Sequence, residues 1–94
     1  MSGTAIRFET TPNPNALKCP LEPDADRLPR SYFNADQARD AGDRLAIDLF
    51  GVPGVSNVLI HTGFVTVGKA PGASWGPIKW GVGRVLTAAG VRAP

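Results

Sequence analysis

Apolar and polar residues alternate at the beginning of the chain, the pattern that a half-buried strand produces. Over residues 5–9, Ile6 and Phe8 fall on one side and Arg7 and Glu9 on the other. This spacing predicts a first strand that directs Ile6 and Phe8 into the core. Residues 16–19 resume an extended pattern after a short polar turn. The chain is therefore predicted to open with a β-hairpin.

The turn of this hairpin is rich in proline and asparagine. It consists of Thr11, Pro12, Asn13, Pro14 and Asn15. Proline fixes its own φ angle and favours extended backbone in the residue before it. Asparagine side chains bond the local backbone. These five residues are predicted to set a rigid shape rather than to form a flexible linker.

A helix is predicted after this hairpin. Residues 20–29 are rich in proline and acidic side chains and predict a loop, and residues 30–33 can add a short strand. Asn34 with Gln37 three residues later matches a capping box at a helix N-terminus. Helical spacing over residues 35–50 places four apolar side chains on one stripe: Ala38, Ala41, Leu45 and Leu49.

Two further apolar runs, residues 55–60 and 64–69, predict a second pair of strands. A two-residue loop at Thr62–Gly63 would set Ile60 opposite Val65 and Val58 opposite Val67. A three-residue loop with a left-handed glycine would shift the pairing by one residue. The two-residue loop gives the better core, because it gathers four β-branched side chains on one face.

The last helix is predicted to run from a cap at Ser74 to about Ala89, with Gly90 as its stop signal. Its core stripe contains Trp75, Ile78, Val82, Val85, Leu86 and Ala89. Trp80 and Thr87 project to nearly the opposite side, where Gly76 and Gly83 leave a flat surface.

This outward tryptophan is a candidate interaction site. Interior glycines weaken a helix by up to ~1 kcal/mol each relative to alanine, and exposed aromatic side chains are typical interface anchors. A partner surface is therefore predicted at Trp80, Gly83 and Thr87, with Lys79 and Arg84 beside them.

These elements predict a two-layer α+β sandwich in the order ββ(β)αββα. The sheet is expected to be mostly antiparallel, with two helices packed on one face. The 94 residues are enough for one small domain, residues 1–94, with a core over about residues 5–89.

Composition narrows the class of protein further. Hydrophobic residues make up 43% and charged residues 19%, an ordinary balance for a globular domain. Neither a membrane-length apolar run nor a signal peptide is visible, so a cytoplasmic location is expected. The net charge is only +2, and the basic residues are interleaved with acidic ones. Neither a nucleic-acid partner nor a membrane partner is therefore expected.

Candidate catalytic and metal-binding groups are few. Cys19 is the only cysteine and His61 the only histidine. Lys18 lies beside Cys19 in a strand, so the two side chains point to opposite faces and Lys18 cannot activate the thiol. We expect no enzyme, no resident cofactor and no metal. One alternative stays open at this point: a small enzyme that uses His61 or Cys19 together with a second polar group.

The hairpin turn carries a resemblance to a known family. Residues 11–18 read TPNPNALK and closely resemble the signature of the N-terminal domain of Nfu/NifU-type scaffold proteins. Further similar segments follow in the same order: residues 45–46, 49–55 and 64–67, then Lys69, Trp75, Ile78 and Lys79. The similarity spans nearly the whole chain.

The resemblance implies a small two-layer α/β module and a role in iron–sulfur cluster biogenesis. In that family the domain usually precedes a second domain whose C-x-x-C motif binds a transient cluster. This sequence contains no C-x-x-C, and one cysteine cannot supply the four thiolates that a cluster normally takes. The expected role is therefore that of a stand-alone accessory module, with iron–sulfur assembly components or client proteins as partners. The alternative that stays open is direct binding of iron or of an iron–sulfur cluster through Cys19 in an oligomer.

Overall fold

A computed structural model describes residues 6–94 of the chain. Five strands and three helices follow one another in the order β1-β2-β3-α1-α2-β4-β5-α3. The strands are β1 (Glu9–Thr10), β2 (Ala16–Pro20), β3 (Arg30–Tyr32), β4 (Val55–Ile60) and β5 (Phe64–Lys69). The helices are α1 (Ala35–Ala41), α2 (Arg44–Phe50) and α3 (Trp75–Ala88).

The strands form one antiparallel sheet in the order β1-β2-β5-β4-β3. Val58 lies opposite Val67 and Ile60 opposite Val65. The His61 N–H donates to the Phe64 carbonyl at 2.8 Å and closes a two-residue loop. The predicted register of this hairpin, and the choice of the shorter loop, are thus confirmed.

The helices cover one face of the sheet. The buried strand residues all point to that face because side chains alternate along a strand: Leu17, Cys19, Val58, Ile60, Val65 and Val67. Buried helix residues complete the core: Ala38, Ala46, Leu49, Ile78, Val82 and Leu86. The predicted two-layer α+β class is confirmed.

The first strand is shorter than predicted. Only Glu9–Thr10 pairs with β2, and the prediction for Ala5 lies outside the described residues. Ile6 and Phe8 nevertheless pack against the core, while Arg7 and Glu9 are exposed. The alternation therefore indicated the direction of these side chains, but it did not require a ladder partner for each residue.

The helix predicted over residues 35–50 is wrong as a single element, because it consists of α1 and α2. Gly42 ends α1 with a φ of 67°, a left-handed conformation that glycine adopts without a Cβ penalty. Asp43 then caps α2, where its carboxylate accepts from the Ala46 N–H at 3.3 Å. The predicted cap at Asn34 is confirmed, since its side chain accepts from the Gln37 N–H at 2.9 Å.

The loop between β2 and β3 is held in place by backbone bonds and one arginine. The Leu21 N–H donates to the Gly63 carbonyl at 2.9 Å, and Leu21 is buried. Arg27 donates to the carbonyl of Thr62 at 2.9 Å and to that of Glu22 at 2.9 Å. The predicted loop is therefore an ordered segment that covers one end of the sheet.

The last helix begins after Ser74 and ends at Ala88, close to the predicted bounds. Ser74 is the N-cap residue, as predicted, but its side chain makes no capping hydrogen bond. Ala89, assigned to the core stripe, is exposed beyond the helix end. Gly90 has a φ of 78°, as a glycine stop signal requires.

Candidate functional site

Trp80 stands out from the exposed side of α3. Its side chain is 67% exposed, opposite the buried stripe of Ile78, Val82 and Leu86. The Arg84 guanidinium lies 4.8 Å from the centre of the Trp80 ring, within the range of a cation–π contact. This contact between successive turns orients a large indole that the domain's own core does not cover.

A shallow, open groove runs beside this tryptophan and has a volume of about 490 Å³. Ile6 and Phe8 form one wall. The other wall is formed by α3 residues: Lys79, Trp80, Gly83, Arg84, Thr87 and Ala88. We call this depression the Trp80 groove. All five residues assigned to the interaction surface from the sequence lie together in it.

The glycines of α3 differ in what their missing side chains allow. A Cβ on Gly81 would lie 2.7 Å from Val52 Cγ1, so this glycine is required by packing against the segment after α2. A Cβ on Gly76 or Gly83 would meet nothing within 4 Å. Gly83 lies in the Trp80 groove and Gly76 does not. Internal packing therefore does not account for the glycine at position 83.

Trp80 and Arg84 also line a second, smaller depression of about 410 Å³ on the other side of the indole. Its remaining wall includes Val52, Pro53 and Pro77. The stacked pair thus forms a ridge with a mainly apolar hollow on each side. Such a ridge presents one aromatic anchor with space around it for the side chains of a partner.

The groove carries positive charge. Lys79 and Arg84 are its two ionisable residues, and the described residues that line it include no acidic one. The sequence of α3 likewise contains no aspartate or glutamate. The surface around Trp80 therefore combines an apolar floor with two cationic groups.

The turn at residues 11–15 is held by its own side chains. The Asn13 N–H donates to Thr11 Oγ1 at 3.1 Å, and the Asn15 N–H donates to Asn13 Oδ1 at 2.9 Å. The Ala16 N–H donates to the Asn13 carbonyl at 3.0 Å. Thr11 is half-buried and the other four residues are exposed. Local hydrogen bonds therefore define the shape of this turn.

One side-chain and one backbone hydrogen bond attach the same turn to the rest of the domain. Trp75 Nε1 donates to the Pro14 carbonyl at 3.4 Å. Lys69 Nζ lies 5.9 Å from the Trp75 ring centre, and the Lys69 N–H donates to the Asn15 carbonyl at 2.8 Å. The turn is thereby held between the end of β5 and the beginning of α3, at the opposite end of the helix from Thr87.

A polar cluster at Asp43 joins β3 to the helices. Asp43 Oδ2 accepts from Arg30 Nε at 2.6 Å and from the Tyr32 hydroxyl at 2.9 Å. Burial by itself raises the pKa of Asp43, but the hydrogen bonds from Arg30, Tyr32 and the Ala46 N–H outweigh it. The net effect holds this pKa below its usual range. The carboxylate of Asp43 bonds two residues of β3 and the N-terminus of α2, so it stabilises the packing of the sheet against the helices.

Cys19 and His61 lie apart, in different environments. Cys19 is fully buried in the core, and burial raises the pKa of its thiol to about 12. His61 stacks on Phe64 with ring centres 4.8 Å apart, at the tip of the β4–β5 hairpin. Neither residue lines the Trp80 groove. The structure thus does not bring the two residues together as a catalytic pair.

Sequence reasoning missed two parts of this arrangement. The wall formed by Ile6 and Phe8 was assigned to the core only, although their alternation already placed both on the helix side of the sheet. The Asp43 cluster joins residues 11 and 13 positions apart, a separation outside helix and strand periodicity. The sequence did contain a signal for this break. Gly42 followed directly by Asp43 is typical of the end of one helix and the N-cap of the next.

Membrane-spanning helices and metal sites were also considered for the described residues. Among residues 6–94, no helix combines the length and apolar character of a membrane span. The same residues contain no group of three or more His, Cys, Asp or Glu side chains placed to hold a metal ion.

The chain matches a known protein family. Residues 6–91 match the family described as scaffold protein Nfu/NifU N terminal. A NifU-like protein of Schizosaccharomyces pombe is 38% identical over 77 residues, which cover 79% of this chain and 29% of that protein. The chain thus corresponds to less than a third of the length of this relative.

Solved structures show the same fold. The solution structure of a NifU-like protein from Saccharomyces cerevisiae superposes with a TM-score of 0.72 at 29% identity, over 88% of this chain and 75% of that one. The crystal structure of a Staphylococcus aureus protein gives a TM-score of 0.71 at 26% identity, over 88% and 99% of the two chains.

Proposed function

Because this chain belongs to the Nfu/NifU N-terminal family, we propose that it is a non-catalytic protein-interaction module of iron–sulfur cluster assembly. Its role is to dock an assembly component or a client protein, and the Trp80 groove is the docking surface. It does not carry a cluster itself. Family membership supports a part in iron–sulfur cluster assembly. The exposed surface of α3 supports docking as the chain's role in that assembly.

The observation that carries the proposal is the exposure of Trp80 at 67% on a helix whose opposite side is fully buried. A tryptophan left in water forgoes the stabilisation that burial of its large apolar surface provides. Tryptophan and arginine are also the residues most enriched among those that dominate interface energetics. The stacked Trp80–Arg84 pair combines both at one place.

The environment of Cys19 supports a role without direct cluster binding. Thiolate, rather than thiol, is the form that ligates metal, and this thiol is buried with its pKa raised to about 12. A cluster on Cys19 would require the sheet and helices to separate. Burial therefore favours docking over the alternative of a cluster held by several copies of this residue.

Affinity capture from the source organism tests the proposed docking. The tagged chain is expected to enrich iron–sulfur assembly or client proteins, identified by mass spectrometry, and Trp80→Ala is expected to lose them. Phe33→Ala is the matched control, because Phe33 is 73% exposed but lies outside the groove. Equal recovery with both variants, or enrichment of unrelated proteins only, would contradict the proposal.

Anaerobic reconstitution with iron and sulfide tests the alternative separately. The proposal predicts no cluster absorbance in the folded wild-type chain. An absorbance that appears in the wild type and disappears in Cys19→Ser would favour direct cluster binding instead. Circular dichroism of the Cys19→Ser protein checks that loss of the signal does not reflect unfolding.

A further inference from the structure

The chemistry of the Trp80 groove specifies its partner more narrowly than family membership does. We propose that the groove receives an acidic amphipathic helix, whose apolar side chains enter the groove and whose carboxylates pair with Lys79 and Arg84. This inference rests on the proposed docking function and adds the chemical class of the partner segment.

The positive charge of the groove is the first observation. The two ionisable residues in the groove, Lys79 and Arg84, are both cationic, and the residues from 6 to 94 that line it include no acid. Both side chains are exposed. Asp48, which lines a neighbouring depression together with Arg84, is paired with Arg44 at 3.4 Å. Among the described residues, neither Lys79 nor Arg84 forms an ion pair. Both can therefore pair with carboxylates of a partner segment.

The shape of the groove is the second observation. Its α3 wall extends from Lys79 to Ala88, about 13 Å at the rise of an α-helix. About two and a half turns of a partner helix have this length. An amphipathic helix presents apolar groups at i, i+3 and i+4 with charged groups along the sides, which is the pattern that helix-in-groove recognition uses.

Gly83 is the third observation. The site of its missing Cβ is open, and no packing contact explains the glycine. Interior glycine weakens a helix relative to alanine. A glycine in the wall of a groove lets the backbone or an apolar side chain of a partner approach α3 closely. Ile6 and Phe8 supply apolar contact from the opposite wall.

A pair of charge-swapped peptides tests the inference with the full chain. One is a helical peptide with leucines at i, i+3 and i+4 spacing and glutamates elsewhere, and the other carries lysine in place of every glutamate. Fluorescence anisotropy is expected to show that the glutamate peptide binds at least about tenfold more tightly than the lysine peptide, a difference of about 1.4 kcal/mol. Chemical shifts are expected to move around Trp80 and Gly83.

Gly83→Ala and Gly76→Ala form the matched variant pair. Both place a methyl group in open space on α3, so both are expected to fold. Only Gly83→Ala is expected to weaken binding of the glutamate peptide, by about tenfold. The inference is overturned if neither peptide binds, if the lysine peptide binds as tightly, if the shifts map to the open face of the sheet, or if both variants behave alike. In each of those cases, Trp80-dependent capture of assembly proteins would still support the docking function.

Discussion

Arg30 Nε lies 2.6 Å from Asp43 Oδ2, and this bond ties the edge strand β3 to the first residue before α2. The same carboxylate accepts from the Tyr32 hydroxyl and caps α2 through the Ala46 N–H. One side chain therefore joins the sheet to the helical layer at the break between α1 and α2. The stability of this half of the domain depends on it.

Asp43→Ala is expected to lower the free energy of unfolding by about 2–4 kcal/mol. The change removes a helix cap, worth about 1 kcal/mol, and hydrogen bonds from a charged group, worth about 1.5–3 kcal/mol. Asp43→Asn is the control, because an amide oxygen can still cap α2 but carries no charge for Arg30. It is expected to cost less. Urea unfolding measures both losses, and equal losses would show that the cap makes no separate contribution.

The same cluster predicts how stability changes with pH. The pKa of Asp43 is lower in the folded chain than its ordinary value, so the native state binds fewer protons there than the unfolded state. Its contribution is complete above the unfolded pKa of about 3.9 and is lost as pH falls through the folded pKa. The urea midpoint of wild type should therefore approach that of Asp43→Asn as the solution is acidified. A constant difference between the two proteins would contradict this assignment.

Gly81 and Gly83, one and three residues after Trp80, are expected to respond to alanine in opposite directions. Gly81→Ala would place a Cβ 2.7 Å from Val52 Cγ1, and such overpacking costs about 1–3 kcal/mol. Gly83→Ala meets open space and is expected to stabilise the helix by about 0.5–1 kcal/mol. Thermal unfolding compares them. Val52 is itself buried, so the loss in the double variant Gly81→Ala/Val52→Ala should be smaller than the sum of the two single losses. Additive losses would show that the contact is not the cause.

Cys19 is expected to be unreactive in the native chain. Its thiol is buried with its pKa raised to about 12, so at about pH 8 the thiolate fraction is on the order of one in ten thousand. Labelling by iodoacetamide should be slow for the native protein and fast after unfolding in guanidinium chloride. Rapid labelling of the native chain would show an accessible thiol and would revive the alternative of direct cluster binding.

Periodicity was sufficient for the β4–β5 hairpin but not for the bounds of β1 or for every helix boundary. The opposition of Val58 to Val67 followed from period-two alternation and a two-residue loop, both local properties of the sequence. The break between α1 and α2 at Gly42 could not be predicted in this way. The apolar stripe continues across it, and a glycine is tolerated inside a helix at a cost of about 1 kcal/mol. The capping of α2 by Asp43, supported by Arg30 from a distant strand, decides the outcome there.

The candidate site was predictable in part for the same reason. Helical projection alone placed Trp80 opposite the core, and the structure places it there. Projection could not supply the second wall of the groove, because the position of Ile6 and Phe8 beside α3 depends on how the sheet and helix pack. Projection also could not distinguish the two glycines. Packing against Val52 requires a glycine at position 81, whereas position 83 has open space for a side chain.

The most direct measurement is the Kd of a captured iron–sulfur assembly or client protein for three chains: wild type, Trp80→Ala and Phe33→Ala. Titration calorimetry is expected to show a Kd at least about tenfold higher for Trp80→Ala and an unchanged Kd for Phe33→Ala. Circular dichroism establishes that all three chains are folded. An unchanged Kd for folded Trp80→Ala, or equal losses for the two variants, would contradict docking through the Trp80 groove.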